Sequence, residues 1–236
     1  MSSAPSVEGR KDMHNYSASP LLAAIYSEQL YTANQRTKKE RADDNAKHLP
    51  AASFTHLISQ PELQFLNREE VEKRLENLND RGLIEYTSGR DLRITEKGRE
   101  LITVVLTGGA FDIIHPGHIE TLQRAKSLGD VLVVSVARNA TYLKNRKKDP
   151  LHDEEMRREL VQSLKPVDVA ILGSEGDIFE TVLLVRPDII ALGYDQSHNE
   201  EAISKELESR GLKAKVIRLD SSVPSIKSSK IIHDFY

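Results

Sequence analysis

Two histidines three residues apart, His115 and His118, stand where the chain is well suited to bind phosphate. They follow the pair Gly108-Gly109, which lets the backbone turn tightly and approach a ligand. Pro116, between the histidines, has the fixed φ that suits the first position of a helix. The free N–H groups at a helix start attract an anion. The spacing therefore predicts two imidazoles and a helix N-terminus that share one anion-binding space.

The same residues indicate what chemistry such a site performs. Gly117 removes a side chain where a phosphate must come close. Imidazole N–H groups can donate to phosphate oxygens, whose charge grows as pyrophosphate leaves. A His-x-x-His pair by itself is more often incidental or part of a metal site. Here the sequence has no cysteine and no nearby third histidine to complete a metal set, so the pattern favours phosphate chemistry.

The sequence pattern after Ile102 predicts the strands and helices that position these residues. Short runs rich in Val and Ile, typical of strands buried on both faces, lie at 102–107, 131–137, 167–172, 188–192 and 214–219. Helical patterns lie near 117–128, 153–164, 176–185 and 199–210, with a last one from Ser229. The alternation predicts an α/β domain over 102–236 with a doubly wound parallel five-stranded sheet. Its ligands should bind beyond the carboxyl ends of the strands.

The residues before Ile102 predict two further regions. Residues 1–19 are polar and offer nothing to bury, so we expect a disordered tail. A helix should follow Pro20, and a second should begin after the capping residue Asn67. A hairpin of 83–86 with 92–94 and a helix capped by Thr95 come next. Helix, hairpin and helix in this order resemble a winged-helix domain, mainly α, over 20–101.

Composition limits the class of protein. Of the 236 residues, 39% are hydrophobic and 29% charged, as in soluble globular proteins, and the formal net charge is −3. Such a charge gives the whole molecule no cationic field to attract nucleic acid or anionic lipid. The lack of cysteine excludes disulfides and cysteine nucleophiles. The sequence shows no signal-peptide pattern and no apolar run of about 18 residues, so we expect a cytoplasmic protein.

The segment GGAFDIIHPGH, at 108–118, resembles the signature of the cytidylyltransferase-like superfamily. The resemblance extends through AKSLGD, VSVARN, RPDIIALGYDQ and SSKII, a skeleton that is similar to that of archaeal FAD synthases. Glycerol-3-phosphate cytidylyltransferases are similar but more distant. The resemblance implies a Rossmann-like sheet and transfer of AMP from ATP to FMN, with Mg²⁺ supporting ATP use and FAD and pyrophosphate as products.

The resemblance also implies roles for single residues. It assigns catalysis to His115 and His118, which stabilise the transition state, and to Lys144, which binds the triphosphate from the loop after the second strand. Lys147 and Lys148 are rivals of Lys144. It assigns nucleotide binding to Gly109, Ala110, Phe111, His115, Pro116, Gly117, His118, Arg157, Gly193, Asp195, Ser228 and Ser229. Lysine runs are also common in solvated loops, and a Ser pair before a helix is often only an N-cap.

Three departures from the family pattern occur, and the one at Ser222 and Val223 weakens the glycerol-phosphate hypothesis and leaves the acceptor open. Ala110 replaces a Thr or Ser, so the backbone must supply that contact. Ser222 and Val223 stand where cytidylyltransferases carry Arg-Thr, and Asn139 stands where an Asp is common. The first hypothesis is FMN adenylyl transfer. The second is a cytidylyltransferase for glycerol 3-phosphate or another phosphorylated alcohol.

The N-terminal domain raises a hypothesis of another class, a DNA-binding regulator that responds to flavin. Against it, the predicted helix at 68–81 carries five acidic and four basic residues, whereas phosphate contacts need clustered cations. Arg90 and Arg93 could still contact a DNA backbone. A packing or dimerisation module, with a possible homodimer, is an equal alternative. Because all the predicted site residues follow Ile102, we expect 102–236 to fold and act alone.

Overall fold

The computed structural model describes residues 19–36, 49–59, 63 and 66–222. Positions 1–18 of the predicted tail, the pair Ser228-Ser229 and the predicted last helix lie outside the described residues. The final tail position, Ser19, instead opens the first helix. Within the described parts of the chain, no helix is long and apolar enough to cross a membrane.

The N-terminal part consists of helices around a short hairpin. Its elements are α1 (Ser19–Gln35), α2 (Phe54–Ile58), α3 (Arg68–Asp80), β1 (Ile84–Tyr86), β2 (Leu92–Ile94) and α4 (Glu96–Arg99). The Asn67 side chain caps α3 by accepting from the Glu70 N–H at 2.8 Å, and Thr95 caps α4 by accepting from the Gly98 N–H at 3.1 Å. The two predicted caps and the hairpin are confirmed, while the winged-helix assignment remains a prediction.

Residues 104–218 form the predicted α/β fold. The elements are β3 (Val104–Gly109), α5 (Pro116–Lys126), β4 (Val131–Val136), α6 (Asn139–Arg146), α7 (Glu154–Gln162), β5 (Val169–Leu172), α8 (Ile178–Val185), β6 (Ile189–Leu192), α9 (Glu200–Ser209) and β7 (Lys215–Arg218). The sheet is parallel throughout, in the order β5-β4-β3-β6-β7. The direction of winding reverses between β3 and β6, which makes the carboxyl ends of these strands the expected ligand position.

Helix α6 corrects the predicted loop after the second strand. Lys144 lies inside this helix, and Lys147 follows it in the left-handed conformation, with φ 57°. The helix buries one side chain, that of Tyr142, so its sequence shows no apolar periodicity. Contacts distant in sequence hold its start instead: the Arg138 guanidinium and the Asn139 N–H both donate to Glu154 of α7.

The two faces of the sheet are covered differently. Alternate strand residues such as Val105, Leu132 and Val134 pack against Leu122 of α5 and Val161 of α7. The opposite side chains meet α8, α9 and α1, which lies between β5 and β2. One continuous apolar core therefore joins the N-terminal part to the sheet. The buried hydroxyl of Tyr26 on α1 donates to the Val185 carbonyl at the end of α8.

Three aspartates mark the amino end of the sheet, where the strands begin. One oxygen of Asp130, Asp168 and Asp188 accepts a backbone N–H from Thr103, Leu132 and Val104, at 2.7, 2.6 and 2.7 Å. Each carboxylate also accepts from a side chain: Ser19, Lys126 and Arg99 respectively. Two of these donors belong to the N-terminal part, which is thereby fixed to this end of the sheet.

Candidate active site

The predicted phosphate-binding turn leaves the carboxyl end of β3. Phe111 adopts the left-handed conformation, with φ 53°, and its side chain is 5% exposed. The ring folds back over Gly109, where an added Cβ would lie 2.9 Å from ring carbons. Gly109 is thus required by the close approach of Phe111. A non-glycine residue at positive φ is a strained backbone position of the kind that clusters at ligand sites.

His115 and His118 lie together at the start of α5. His115 precedes Pro116 in extended conformation at the N-cap position, and its ring stacks on that of His118 at 3.9 Å between centroids. The Phe111 ring packs on the other histidine, His118, at 5.1 Å. Neither Nδ1 atom has a hydrogen-bond partner among the described residues, although both are buried. A buried unpaired ring nitrogen is costly, by about 1–3 kcal/mol, unless a ligand satisfies it.

Burial keeps both imidazoles neutral near pH 7. It lowers the pKa of His118 to about 4, with a further contribution from the neighbouring His115. Burial also lowers the pKa of His115, and the carboxylate of Asp195 opposes this shift at both rings. A bound phosphate would raise the pKa of both histidines, as Asp195 does, since nearby negative charge favours the imidazolium. The pair can therefore donate neutral N–H groups or, with a ligand, gain a proton.

Asp112 fixes the turn from beneath, a role that sequence reasoning missed. Its carboxylate is 3% exposed and accepts from the Tyr142 hydroxyl at 3.0 Å. It also accepts the N–H groups of Leu151 and His152, at 2.9 and 3.1 Å. Asp112 thus ties the turn to α6 and to the segment before α7. Its place between Phe111 and the histidines was the one sequence signal for it.

Arg157 is buried completely and directed into the protein. Its guanidinium donates to the carbonyls of His152 and Ala110, at 3.0 and 2.6 Å, and to Asn139 Oδ1 at 2.8 Å. Two of these acceptors belong to residues that depart from the family pattern. They are the backbone carbonyl of Ala110, which lacks the family hydroxyl, and the side chain of Asn139, which stands in place of an Asp. In this arrangement Arg157 joins three site loops, and its predicted nucleotide contact is untested.

The loop after β6 carries the predicted pair Gly193 and Asp195. Gln196 accepts from the Gly193 N–H at 3.1 Å and donates to the Gly108 carbonyl at 2.6 Å, bridging the ends of β6 and β3. Arg218 at the end of β7 donates to the Gly193 and Gln196 carbonyls at 2.9 and 3.0 Å. Gln196 and Arg218 were not predicted as site residues, because the contacts of Gln196 with Gly108 and of Arg218 with this loop span more than twenty residues.

The predicted lysines lie apart from this network. The side chains of Lys144, Lys147 and Lys148 are exposed, and none forms a hydrogen bond or ion pair within the described parts of the chain. The structure brings together the residues from Gly109 to His118, Arg157, and the loop of Gly193 and Asp195. It leaves the three lysines on the surface of α6 and just after it.

A cleft of about 550 Å³ opens beside His115. It is lined by Ile114, His115, Pro116, Ile119, Glu120, Gln123 and Ser222. Such a volume lies within the range of small-molecule sites. One wall is the face of α5 that begins at His115 and Pro116, and the other is the chain that leaves β7, at Ser222.

Comparison with known proteins assigns this fold and site to a class. The model of the cytidylyltransferase-like family matches residues 106–234, a range that begins within β3 and includes every later element of the described fold. The chain belongs to this family, and it is a nucleotidyltransferase.

Within that class, the relatives identify one group. The chain is 54% identical over 115 residues to an FAD synthase of Ferroglobus placidus, a match that covers 49% of this chain and 74% of that protein. An FAD synthase of Aciduliprofundum boonei is 52% identical over 115 residues, covering 49% and 76%. The chain therefore belongs with the FAD synthases. A solved structure of a lipopolysaccharide core biosynthesis protein from Thermoplasma volcanium is 46% identical, covers 51% of this chain and 98% of that one, and has a TM-score of 0.49.

Proposed function

We propose that the protein transfers AMP from ATP to FMN, forming FAD and pyrophosphate. The FAD synthase relatives support the choice of substrates. The observation that carries the reaction type is the stacked histidine pair, with both Nδ1 atoms unpartnered among the described residues, at the start of α5. An anionic, multiply charged ligand is what such a helix start and its imidazoles would bind.

The reaction needs no nucleophilic side chain. An oxygen of the FMN phosphate, already an anion, attacks the α-phosphorus of ATP, and the bond from that phosphorus to the bridging β-oxygen breaks. The electron pair leaves with pyrophosphate. The protein must hold the two phosphates in line and donate hydrogen bonds where charge develops. His115 and His118 supply such donors, and the N–H groups at the start of α5 add a fixed positive field.

The remaining predicted residues have supporting roles in this proposal. Gly109, Ala110, Phe111, Pro116 and Gly117 form the turn around the nucleotide. Gly193 and Asp195 frame the base and ribose, and Lys144 approaches the triphosphate from α6. Arg157 acts through the turn, because its guanidinium holds the Ala110 carbonyl and Asn139 rather than solvent. Ser228 and Ser229 are proposed to cap the triphosphate.

We propose that Mg²⁺ arrives with ATP, because Mg²⁺ prefers oxygen ligands and is commonly bound through substrate phosphates. When bound, Mg²⁺ would neutralise charge on the leaving pyrophosphate. Chelation with EDTA should abolish turnover and leave the melting temperature of the protein unchanged.

The direct test is product formation from matched substrate pairs. Purified protein with Mg²⁺ is incubated with ATP and FMN, or with CTP and glycerol 3-phosphate. FAD is measured by chromatography and pyrophosphate by a coupled assay. FAD formation at the higher rate supports the proposal. Faster pyrophosphate release with CTP and glycerol 3-phosphate would contradict the proposed substrates and leave nucleotidyl transfer as the reaction type.

For the N-terminal part we propose a packing role rather than DNA binding. The exposed charged positions of α3 are three acidic and three basic residues, Glu69, Glu76, Asp80, Arg68, Lys73 and Arg74, so the helix presents no cluster of cations to a phosphate backbone. The buried side of α1 instead shares the core of the sheet. A gel-shift assay with random duplex DNA at low salt should show no complex below about 100 μM, the weak end of nonspecific binding. The predicted homodimer is tested by light scattering after gel filtration.

A further inference from the structure

Glu120 lies one half-turn beyond His118, on the wall of α5 that lines the cleft. Its side chain is 19% exposed. A carboxylate this close to a phosphate site would repel the ligand unless its charge were matched. The contacts of Glu120 show how that charge is matched.

The Glu120 carboxylate receives donors from two directions. From its own helix, Arg124 donates through Nε and Nη2 to Oε1, at 3.0 and 2.8 Å. From the chain leaving β7, the Ser222 N–H donates to both oxygens, at 3.0 and 3.1 Å, and the Ser221 hydroxyl donates to Oε2 at 3.2 Å. The Ser222 contacts, followed by Arg124 and Ser221, lower the pKa of Glu120 to about 2. The group is therefore ionised throughout the neutral range.

The path of the chain after β7 shows which side of the histidines this contact serves. Leu219 packs in the same apolar cluster as Leu122 of α5, so the chain crosses from β7 to the α5 face of the sheet. In the sheet, β6 lies between β7 and β3, the strand that leads into α5. The loop that follows β6 carries Gly193 and Asp195. The wall formed at Ser222 lines the same cleft as His115, and the His115 ring in turn lies within electrostatic range of Asp195 in the proposed nucleoside loop.

We propose that Glu120 is a positioning residue for the nucleotide donor: by holding Ser221 and Ser222 against α5, it forms the cleft wall beside His115 that receives the triphosphate of ATP. The inference rests on the proposed function for the identity of the donor. Glu120 itself does not contact substrate. Arg124 offsets its charge, so the carboxylate can organise the wall without repelling phosphate.

The test compares Glu120→Gln, Glu120→Ala and Glu120→Asp. The Gln side chain directs N–H donors toward the donors of Ser222 and Arg124, and Ala removes the acceptor altogether. Both variants should therefore raise the KM for ATP about tenfold, the effect of losing one or two charge-assisted hydrogen bonds. The KM for FMN and kcat should stay within about twofold. Asp, which keeps the carboxylate, should recover part of the affinity. The matched control is Glu206→Gln, which breaks an ion pair with Arg210 of the same i,i+4 type on α9 and should change none of these constants.

A double-mutant cycle tests whether Glu120 acts through the chain after β7. Ser222→Pro removes the N–H that both carboxylate oxygens accept. If the proposal holds, Glu120→Ala adds little to the KM effect of Ser222→Pro. Additive effects would overturn it, as would an unchanged KM for ATP or an equal rise in the KM for FMN. Calorimetric measurement of ATP binding distinguishes failure of this inference from failure of the proposed function. A tenfold higher Kd for ATP in Glu120→Ala supports the role of Glu120 even if FMN is not the acceptor.

Discussion

The two ends of the sheet differ in whether their buried or half-buried polar side chains have hydrogen-bond partners within the protein. At the amino end, Asp130, Asp168 and Asp188 each accept one backbone N–H and one side-chain donor. At the carboxyl end, His115 and His118 bury ring nitrogens that have no partner among the described residues. At the first end each carboxylate is held by donors of the protein itself, whereas the second end has unpartnered ring nitrogens to offer a ligand.

This difference separates stability from function in space. A carboxylate held by two donors of the protein stabilises the fold, so its loss should appear as a lower melting temperature. An unsatisfied imidazole costs stability and is retained for what it binds. Changes at the amino end should therefore alter unfolding, and changes at the carboxyl end should alter turnover. Four predictions test this separation.

The largest effect is expected from removing the N-terminal part. A protein that begins at Ile102 retains every predicted site residue but exposes the sheet face formed by Val169 and Ile171, which α1 covers. Each buried aliphatic side chain contributes roughly 1.5–3 kcal/mol, so we expect a melting temperature lower by more than about 10 °C, with kcat retained below the transition. Calorimetry and FAD assays on full-length and shortened protein measure both. A folded but inactive fragment would show that residues before Ile102 contribute to the site.

His118→Ala should reduce kcat by about 10²–10³, because a preorganised donor to the leaving pyrophosphate is lost. Its melting temperature should fall less than that of the shortened protein, because the ring gives up its packing on Phe111 and a hydrogen bond to the Ile113 backbone, while the buried Nδ1 has no partner within the described residues to lose. His198→Ala, which removes an exposed imidazole, is the control. Turnover of His118→Ala within twofold of the parent would contradict the assignment of the histidine pair.

Asp188→Asn should lower the free energy of unfolding by about 1 kcal/mol, the cost of weakening charged contacts at a half-exposed site. The amide keeps one acceptor for the Val104 N–H but loses the charge that faces Arg99. Urea unfolding measures the change, and FAD formation should be unaffected. Glu85→Gln, in an exposed ion pair with Arg93, serves as control with a smaller effect. A loss of activity without a loss of stability would break the separation between the two ends.

The smallest effect concerns pH. His118 has a folded pKa of about 4 against an ordinary value of 6.5. Because the folded value is the lower one, its contribution to stability is complete above about pH 6.5 and is lost as the pH falls toward 4. An NMR titration of the ligand-free protein should show no His118 inflection between roughly pH 5.5 and 8, the range around the ordinary value. Adding ATP should raise this pKa. An inflection near 6.5 that disappears in His118→Ala would refute the burial argument.

The sequence predicted those features that depend on local pattern. Val- and Ile-rich runs identified the five strands, and Pro116 marked the start of the histidine helix. Helix α6 was missed because Tyr142 is its one buried residue, and without an apolar stripe there is no helical period to detect. Its position depends on Glu154, which lies fifteen residues after Asn139.

The supporting residues of the site could not be predicted for a related reason. Asp112, Gln196 and Arg218 act through contacts that join segments far apart in the chain, such as Gln196 with Gly108 across 88 positions. Nothing in the local sequence of Gln196 fixes that partner. Arg157 illustrates the same limit, because its position in a helix was predictable and its complete burial was not.

The location of α1 has a consequence for how molecules of this protein behave toward one another. Strand β5 ends the row of strands, so one side of its backbone has no neighbouring strand within the described sheet. Unprotected outer strands of this kind recruit strands from other molecules and promote aggregation. Helix α1 packs against β5, and its Tyr31 lies under the Arg158 guanidinium of α7 at 5.9 Å, so the helix reaches around this border of the sheet. The N-terminal helix thus acts as a guard against intermolecular strand pairing, and the shortened protein should lose solubility as its concentration rises.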